Sequence, residues 1–192
     1  MAVRSEESRR SILEATMKLL EDSGSTGFTV QKLSIERIAR EAGVSKTTIY
    51  RWWSSKVAVV IDTFLDNHVA RTPVRQDVPA IDALREHMAS LAEVYAGIEG
   101  RLVAQLIGEC QQDELAMAEF KKHFWLPRAE AVSSLVERAI SEGSIRKDLD
   151  VQVVTELLYA PLYFRLLFQS GPLDAKATDA VLQTVLEGLT AK

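Results

Sequence analysis

Residues 34–56 read SIERIAREAGVSKTTIYRWWSSK. The stretch has the apolar spacing of two short helices joined by a tight turn. Ile35 and Ile38 give the first helix, Ile35–Ala42, an inward face; Val44 and Ile49 anchor the second, Lys46–Trp53. Helices that cross steeply need a small residue where they approach, and Ala39 supplies it. The turn needs a residue that takes a positive φ at little cost, and Gly43 is placed for that. Ser34 and Ser45 precede the two helices, where a serine accepts a hydrogen bond from a first-turn N–H. The other N–H groups behind Ser45 then point outward, toward an anion such as a phosphate.

With Ile49 turned in, the outer face of the second helix is Lys46, Thr47, Thr48, Tyr50 and Arg51. These side chains carry donors and methyl groups that read base edges and phosphates in a major groove. No Asp or Glu lies between Val44 and Val57, as a surface facing a polyanion requires. The rival reading is an ordinary solvated helix face; the surrounding motif favours DNA contact. Lys56 opens a further helix, a poor place for a cation beside the helix dipole unless a phosphate is near.

The rest of the chain keeps the helical period, with no convincing strand alternation. Arg9–Glu21 puts Ile12, Ala15, Thr16, Leu19 and Leu20 on one face and stops at the small-residue turn Ser23–Gly27. Phe28 and Val30 are expected to plug the core. Lys56–Val69 forms a helix, and Pro73 and Pro79 bracket a polar linker. Helices follow over Ala80–Ala96, Arg101–Gln111 and Glu114–Ser141, the last with a kink expected at Pro127. Another runs from Asp150 or Val151 to Ser170 with Pro161 inside it, and Asp174–Leu189 is the last. The expected fold class is all-α, with about nine helices forming a three-helix head and a helical-bundle body. The expected domains are residues 1–56 as the DNA-binding head, 57–72 as a connecting helix, and 73–192 as the body.

Charge follows the same division. Residues 1–56 hold ten Lys/Arg against seven Asp/Glu, and the remainder thirteen against twenty, within a net charge of −4. A mildly basic head on an acidic body suits a protein that presents one end to an anionic partner. The single cysteine, Cys110, allows no intrachain disulfide and offers no thiolate metal set. His68, His87 and His123 have no partner at ligand spacing, so no metal and no cofactor is expected. Apolar runs such as Leu157–Phe168 fall short of the ~20 residues of a bilayer span, and Met1–Arg10 lacks the apolar core of a secretory signal. A cytoplasmic protein with no membrane partner is expected.

Gly43-Val44-Ser45, Thr48-Ile49-Tyr50, the aromatic Trp53 and Lys56 together resemble the signature of TetR-family transcriptional regulators. The likeness covers about the first 65 residues. It implies that Lys46, Thr47 and Arg51 face bases, that Thr48, Tyr50 and Lys56 hold phosphates, and that Trp53 packs beneath the motif. Ser34 and Ser45 join this set as caps. Trp52 stands where a His or Tyr is common in the family, and either contacts the DNA backbone or packs. The stretches WLPRAEAV (125–132), RKDLD (146–150) and LLYAPLYFRLL (157–167) resemble one group of TetR-like C-terminal domains. In those, the last two long helices form a four-helix interface in a homodimer.

The resemblance therefore implies a repressor that binds double-stranded operator DNA and responds to a small-molecule effector of unknown identity. Candidates for the effector pocket are Tyr95, Gln105, Glu109, Cys110, Phe124, Trp125, Tyr159 and Tyr163. Gln105 and Glu109 share one helix face, turned either to the pocket or to solvent. The aromatics are either pocket wall or plain core. Two other functions compete. An effector-independent DNA-binding regulator would have a solidly packed body, and an all-helical enzyme would need a catalytic motif. No G-x-S-x-G, H-E-x-x-H, Walker or Rossmann pattern is present.

Overall fold

The computed structural model describes residues 2–21 and 30–189; the Ser23–Gly27 turn and Phe28 lie outside these. The described residues form helices α1 (Ala2–Glu21), α2 (Ile35–Glu41), α3 (Lys46–Tyr50), α4 (Lys56–Arg71), α5 (Ala80–Ala96), α6 (Ile98–Cys110), α7 (Glu114–Phe120), α8 (Leu126–Ser141), α9 (Val151–Phe168) and α10 (Ala175–Leu189). A π-helical turn, Lys121–Trp125, joins α7 to α8. Counting α7, this turn and α8 as one continuous helix gives nine, with no strand among the described residues. The chain packs as two compact units, residues 1–67 with 102–125 and residues 68–101 with 126–192.

In the first unit α1 packs on α2 and α3. It buries Ile12, Ala15, Thr16, Leu19 and Leu20, the face that the apolar spacing selects. The helix begins at Ala2, seven residues before the start expected from that spacing. Between α2 and α3 the chain turns at Gly43, with φ +66°, while the Val44 N–H donates to the Ala39 carbonyl at 2.9 Å. Ser34 Oγ and Ser45 Oγ accept from the N–H groups of Arg37 and Thr48, each at 3.2 Å. α3 is shorter than expected, because its hydrogen bonding tightens after Tyr50. The N–H groups of Trp52 and Trp53 both donate to the Ile49 carbonyl, at 2.9 and 3.0 Å.

In the second unit α5 packs against α8, α9 and α10. It buries Leu84, Met88 and Leu91 at the spacing of one helix face. Asp150 Oδ1 caps α9 by accepting from Val153 N–H at 3.0 Å. The helix ends at Phe168, because Gln169 takes a left-handed φ of 50°, rather than at Ser170. α6 starts at Ile98, directly after Gly97, rather than at Arg101. Pro127 lacks the N–H that would serve the carbonyl one turn earlier. The chain meets that loss by widening into the π turn just before the proline, a recognised alternative to a sharp kink. α9 is 18 residues long, so by length and composition alone it could cross a membrane, and the run Leu157–Phe168 is its C-terminal part.

Gly100 marks the tightest approach in this unit. A Cβ there would lie 2.0 Å from the Tyr95 carbonyl oxygen, whereas one on Gly108 meets nothing within 4 Å. Gly100→Ala is therefore expected to destabilise the protein by about 1–3 kcal/mol through overpacking. Gly108→Ala is expected to stabilise it by about 1 kcal/mol, the helix-propensity difference. Urea unfolding at one fixed protein concentration checks both signs.

Candidate nucleic-acid interface

The interface is built on α3. Ile49 is fully buried and Ile35, Ile38 and Ala39 of α2 are nearly so, so these side chains set the rotation of α3. Ser45, Lys46, Thr47, Tyr50 and Arg51 are exposed, while Thr48 and Val44 are half-buried. Tyr50 is 54% exposed. Thr48 Oγ1 lies 2.9 Å from Ser45 Oγ, which fixes the first turn. Lys46 Nζ reaches back to Glu36 Oε1 of α2 at 2.9 Å. That hydrogen bond holds the Glu36 carboxyl below its usual range and raises the Lys46 ammonium. Both groups are exposed, so the pair is weak and Lys46 can leave it for a stronger anion.

Trp53 is the pin beneath the motif. It is 6% exposed, and its Nε1–H donates to Asp62 Oδ2 of α4 at 3.0 Å. Arg9 of α1 pairs with the same carboxylate oxygen at 2.6 Å, and its guanidinium carbon lies 5.9 Å from the Trp53 ring centre. One indole thus ties the end of the α3 turn to α1 and α4. Trp52 is half-buried, 6.3 Å from Trp53 between ring centres. With Trp53, Ser54, Asp62 and His123 it lines a cleft of about 170 Å³.

Lys56 is tied inward. Its Nζ donates to the Val30 carbonyl at 3.2 Å and forms an ion pair with Glu109 of α6, leaving the side chain 20% exposed. Gln105 Oε1, four residues before Glu109, accepts from the Val30 N–H at 2.7 Å. Both α6 residues therefore clasp the segment around the two head helices. Ser34 is half-buried as the α2 cap.

The eight pocket candidates fall in different places. Gln105, Glu109, Cys110, Phe124 and Trp125 belong to the first unit, and Tyr95, Tyr159 and Tyr163 to the second. Phe124 is a fully buried ring between Phe64 and Phe120, at centre distances of 5.7 and 5.3 Å. Burial pushes the Cys110 thiol up to about 11, which keeps it protonated and unreactive at neutral pH. Trp125 is 37% exposed. In the second unit the Tyr95 and Tyr163 hydroxyls lie 2.9 Å apart, and Tyr159 OH lies 2.8 Å from His87 Nδ1. Burial raises all three phenols. Burial, next to His68 and Arg128, also pushes His87 down to about 4, so its imidazole is neutral at pH 7.

The structure adds His68, His87, Glu99 and Arg128 to this second group. For the two histidines a sequence signal existed. Both continue an apolar stripe, His68 after Phe64 and His87 beside Leu84 and Met88, and a histidine on such a stripe is a buried one. Glu99 and Arg128 carried no comparable signal.

Comparison with known proteins agrees with this architecture. Residues 12–63 match the family described as "Bacterial regulatory proteins, tetR family", and residues 80–185 match "Tetracyclin repressor-like, C-terminal domain". The chain is 34% identical to the uncharacterized HTH-type transcriptional regulator YdeS of Bacillus subtilis, over 98% of this chain and 92% of that one. Among solved structures it is similar to the TetR family transcription regulator SCO0332, with a TM-score of 0.78 and 29% identity over 96% of this chain and 100% of that one. It also shares its fold with FadR of Thermus thermophilus, a TetR-family repressor solved in complex with lauroyl-CoA, at a TM-score of 0.70 and 23% identity over 96% of each chain. Regulators of this family bind operator DNA and are dimeric. The chain belongs to the TetR family of bacterial transcriptional regulators, which are DNA-binding proteins and not enzymes.

Proposed function

We propose that this regulator is a homodimeric repressor, released from a palindromic operator when a small molecule binds its body. The observation that carries the DNA part is the exposed, carboxylate-free face Ser45–Arg51 on a helix whose rotation Ile49 fixes. In this reading Lys46, Thr47 and Arg51 meet base edges, while Ser45, Thr48 and Tyr50 meet phosphates. Ser34 acts through the α2 N-terminus, and Trp52 through the backbone beside it. Lys56 reaches a phosphate by exchanging its Glu109 partner. Functionally, residues 1–56 are the head, 57–72 the connecting helix and 73–192 the body. Double-stranded DNA in the bacterial cytoplasm is the partner, with no membrane.

The dimer reading is supported by α9. This helix buries Val154, Leu158, Leu162 and Leu166 on one face, yet leaves Val153, Leu157, Phe164, Leu167 and Phe168 exposed on the other. Phe164 and Phe168 also stack, with ring centres 4.9 Å apart. A bare apolar stripe backed by an amphipathic α10 suits a second copy of the chain better than lipid, which surrounds a helix on all sides. Two heads related by a two-fold axis then read half-sites about one helical turn, ~34–36 Å, or a multiple of it apart. An effector in the body releases DNA if it prefers the other head separation, with a coupling of typically ~1–3 kcal/mol. The FadR neighbour, bound to lauroyl-CoA, is a fold-level precedent for a ligand held in such a body.

Arg51→Ala is expected to weaken the correct operator by about 1–3 kcal/mol and random DNA much less. An equal loss on both would remove its base-reading role. Lys56→Ala is expected to weaken all sequences alike and reduce the salt-dependence slope by about one. An unchanged slope would leave Lys56 a structural partner of Glu109 alone. Phe164→Glu is expected to give a monomer by analytical ultracentrifugation, and a persistent dimer would place the interface elsewhere.

A further inference from the structure

Within the first unit, the start of α4 is gripped by two carboxylates from the segment 102–125. Glu109 of α6 forms an ion pair with Lys56, the first residue of α4, and Glu119 of α7 accepts from Ser54 Oγ at 2.7 Å. Ser55 Oγ caps the same helix by accepting from the Ala58 N–H at 3.1 Å. The side chains of Lys56 and Glu109 are 20% and 30% exposed, against 53% and 64% for the surface pair Lys46–Glu36. Solvent and salt therefore screen the Lys56–Glu109 attraction less. Lys56 Nζ also donates to the carbonyl of Val30, a residue whose N–H Gln105 of α6 accepts. The second carboxylate oxygen of Glu109, Oε2, is buried with no hydrogen-bond partner among the described residues.

A cation in the first turn of a helix lies at the positive end of the helix dipole, where it needs an anion beside it. In the protein without DNA that anion is Glu109. The same ammonium is the group that takes a DNA phosphate in the reading given above. Two anions thus address one cation, and the lysine stem is flexible enough to move Nζ between them without moving α4. If the phosphate displaces the carboxylate, the protein gives up an ion pair and leaves behind a partly buried charge, one of whose oxygens already lacks a partner. If the phosphate joins without displacing it, two anions stand beside one ammonium and repel each other. Either way the sign is the same, and Glu109 lowers the affinity for DNA.

We propose that Glu109 is an internal competitor of the DNA backbone, holding Lys56 in the free protein and setting DNA affinity below what the head alone would reach. The proposal rests on reading Lys56 as a phosphate contact and adds the residue that opposes it. A phosphate contact carries no sequence information, so the restraint acts on all DNA alike and leaves base preference unchanged.

The test uses the full-length chain and fluorescence anisotropy on two labelled duplexes, a random sequence at low salt and the site protected upstream of its own gene. Glu109→Gln keeps the size of the side chain and removes its charge. It is expected to tighten binding to both duplexes by about three- to tenfold, the weight of one partly buried ion pair. E114Q removes the same charge from an exposed position on α7 and controls for net charge, with an effect expected to fall well short of this. In a K56A background, E109Q is expected to do no more than E114Q does. Should E109Q lack a cooperative melt, E109D keeps the charge but withdraws it by one methylene, and is expected to tighten both duplexes by a smaller factor. Unchanged or weakened binding in E109Q, equal tightening by E109Q and E114Q, or a full E109Q effect without Lys56 would each overturn the proposal. K56A alone is scored separately. If it binds both duplexes as the unaltered chain does, the phosphate reading of Lys56 fails and this proposal with it. A loss in K56A beside an unmoved E109Q overturns this proposal alone.

Discussion

Ile49 has no exposed surface, and on a helix of five residues one buried side chain fixes the rotation of the whole element. Everything on the DNA side depends on that burial. It directs Lys46, Thr47, Tyr50 and Arg51 outward, and Gly43 holds the angle at which they are presented by taking a φ that a Cβ would strain. The element is too short to hold itself, since an isolated single turn is not stable in water. It is held instead by Ile35, Ile38 and Ala39 below and by Trp53, which anchors its far end to Asp62 and Arg9.

Legibility in the sequence followed how local the cause was. The α1 core face, the two serine caps and the Gly43 turn were all readable, because each is decided by residues within a turn or two. Helix ends were less so. α3 stops at Tyr50 because Ile49's carbonyl takes two N–H groups, a geometric choice that composition does not encode. The effect of Pro127 was legible as a disturbance, but its resolution as a π turn was not. Side-chain partners distant in sequence were the least readable. The i, i+4 spacing of Gln105 and Glu109 shows a common face, and only packing reveals that it turns to Val30 and Lys56. The pairing of Tyr95 with Tyr163 and of His68 with Glu99 likewise joins residues on different helices.

α9 carries an apolar stripe toward solvent, while Tyr159 and Tyr163, on either side of Pro161, take part in the buried polar set. α6 carries Glu99 in its first turn and Gln105 and Glu109 farther along, so one continuous helix contains residues of both the polar set and the clasp on the head.

The central claim is that the face around Arg51 reads a specific, two-fold symmetric DNA sequence. The most direct measurement is footprinting of the purified protein on the DNA upstream of its own gene, with excess random-sequence DNA as competitor. The account predicts a protected, palindromic site that survives the competitor, with half-site centres about one helical turn or a multiple of it apart. Binding that random DNA removes equally well, or a footprint without two-fold symmetry, would contradict it.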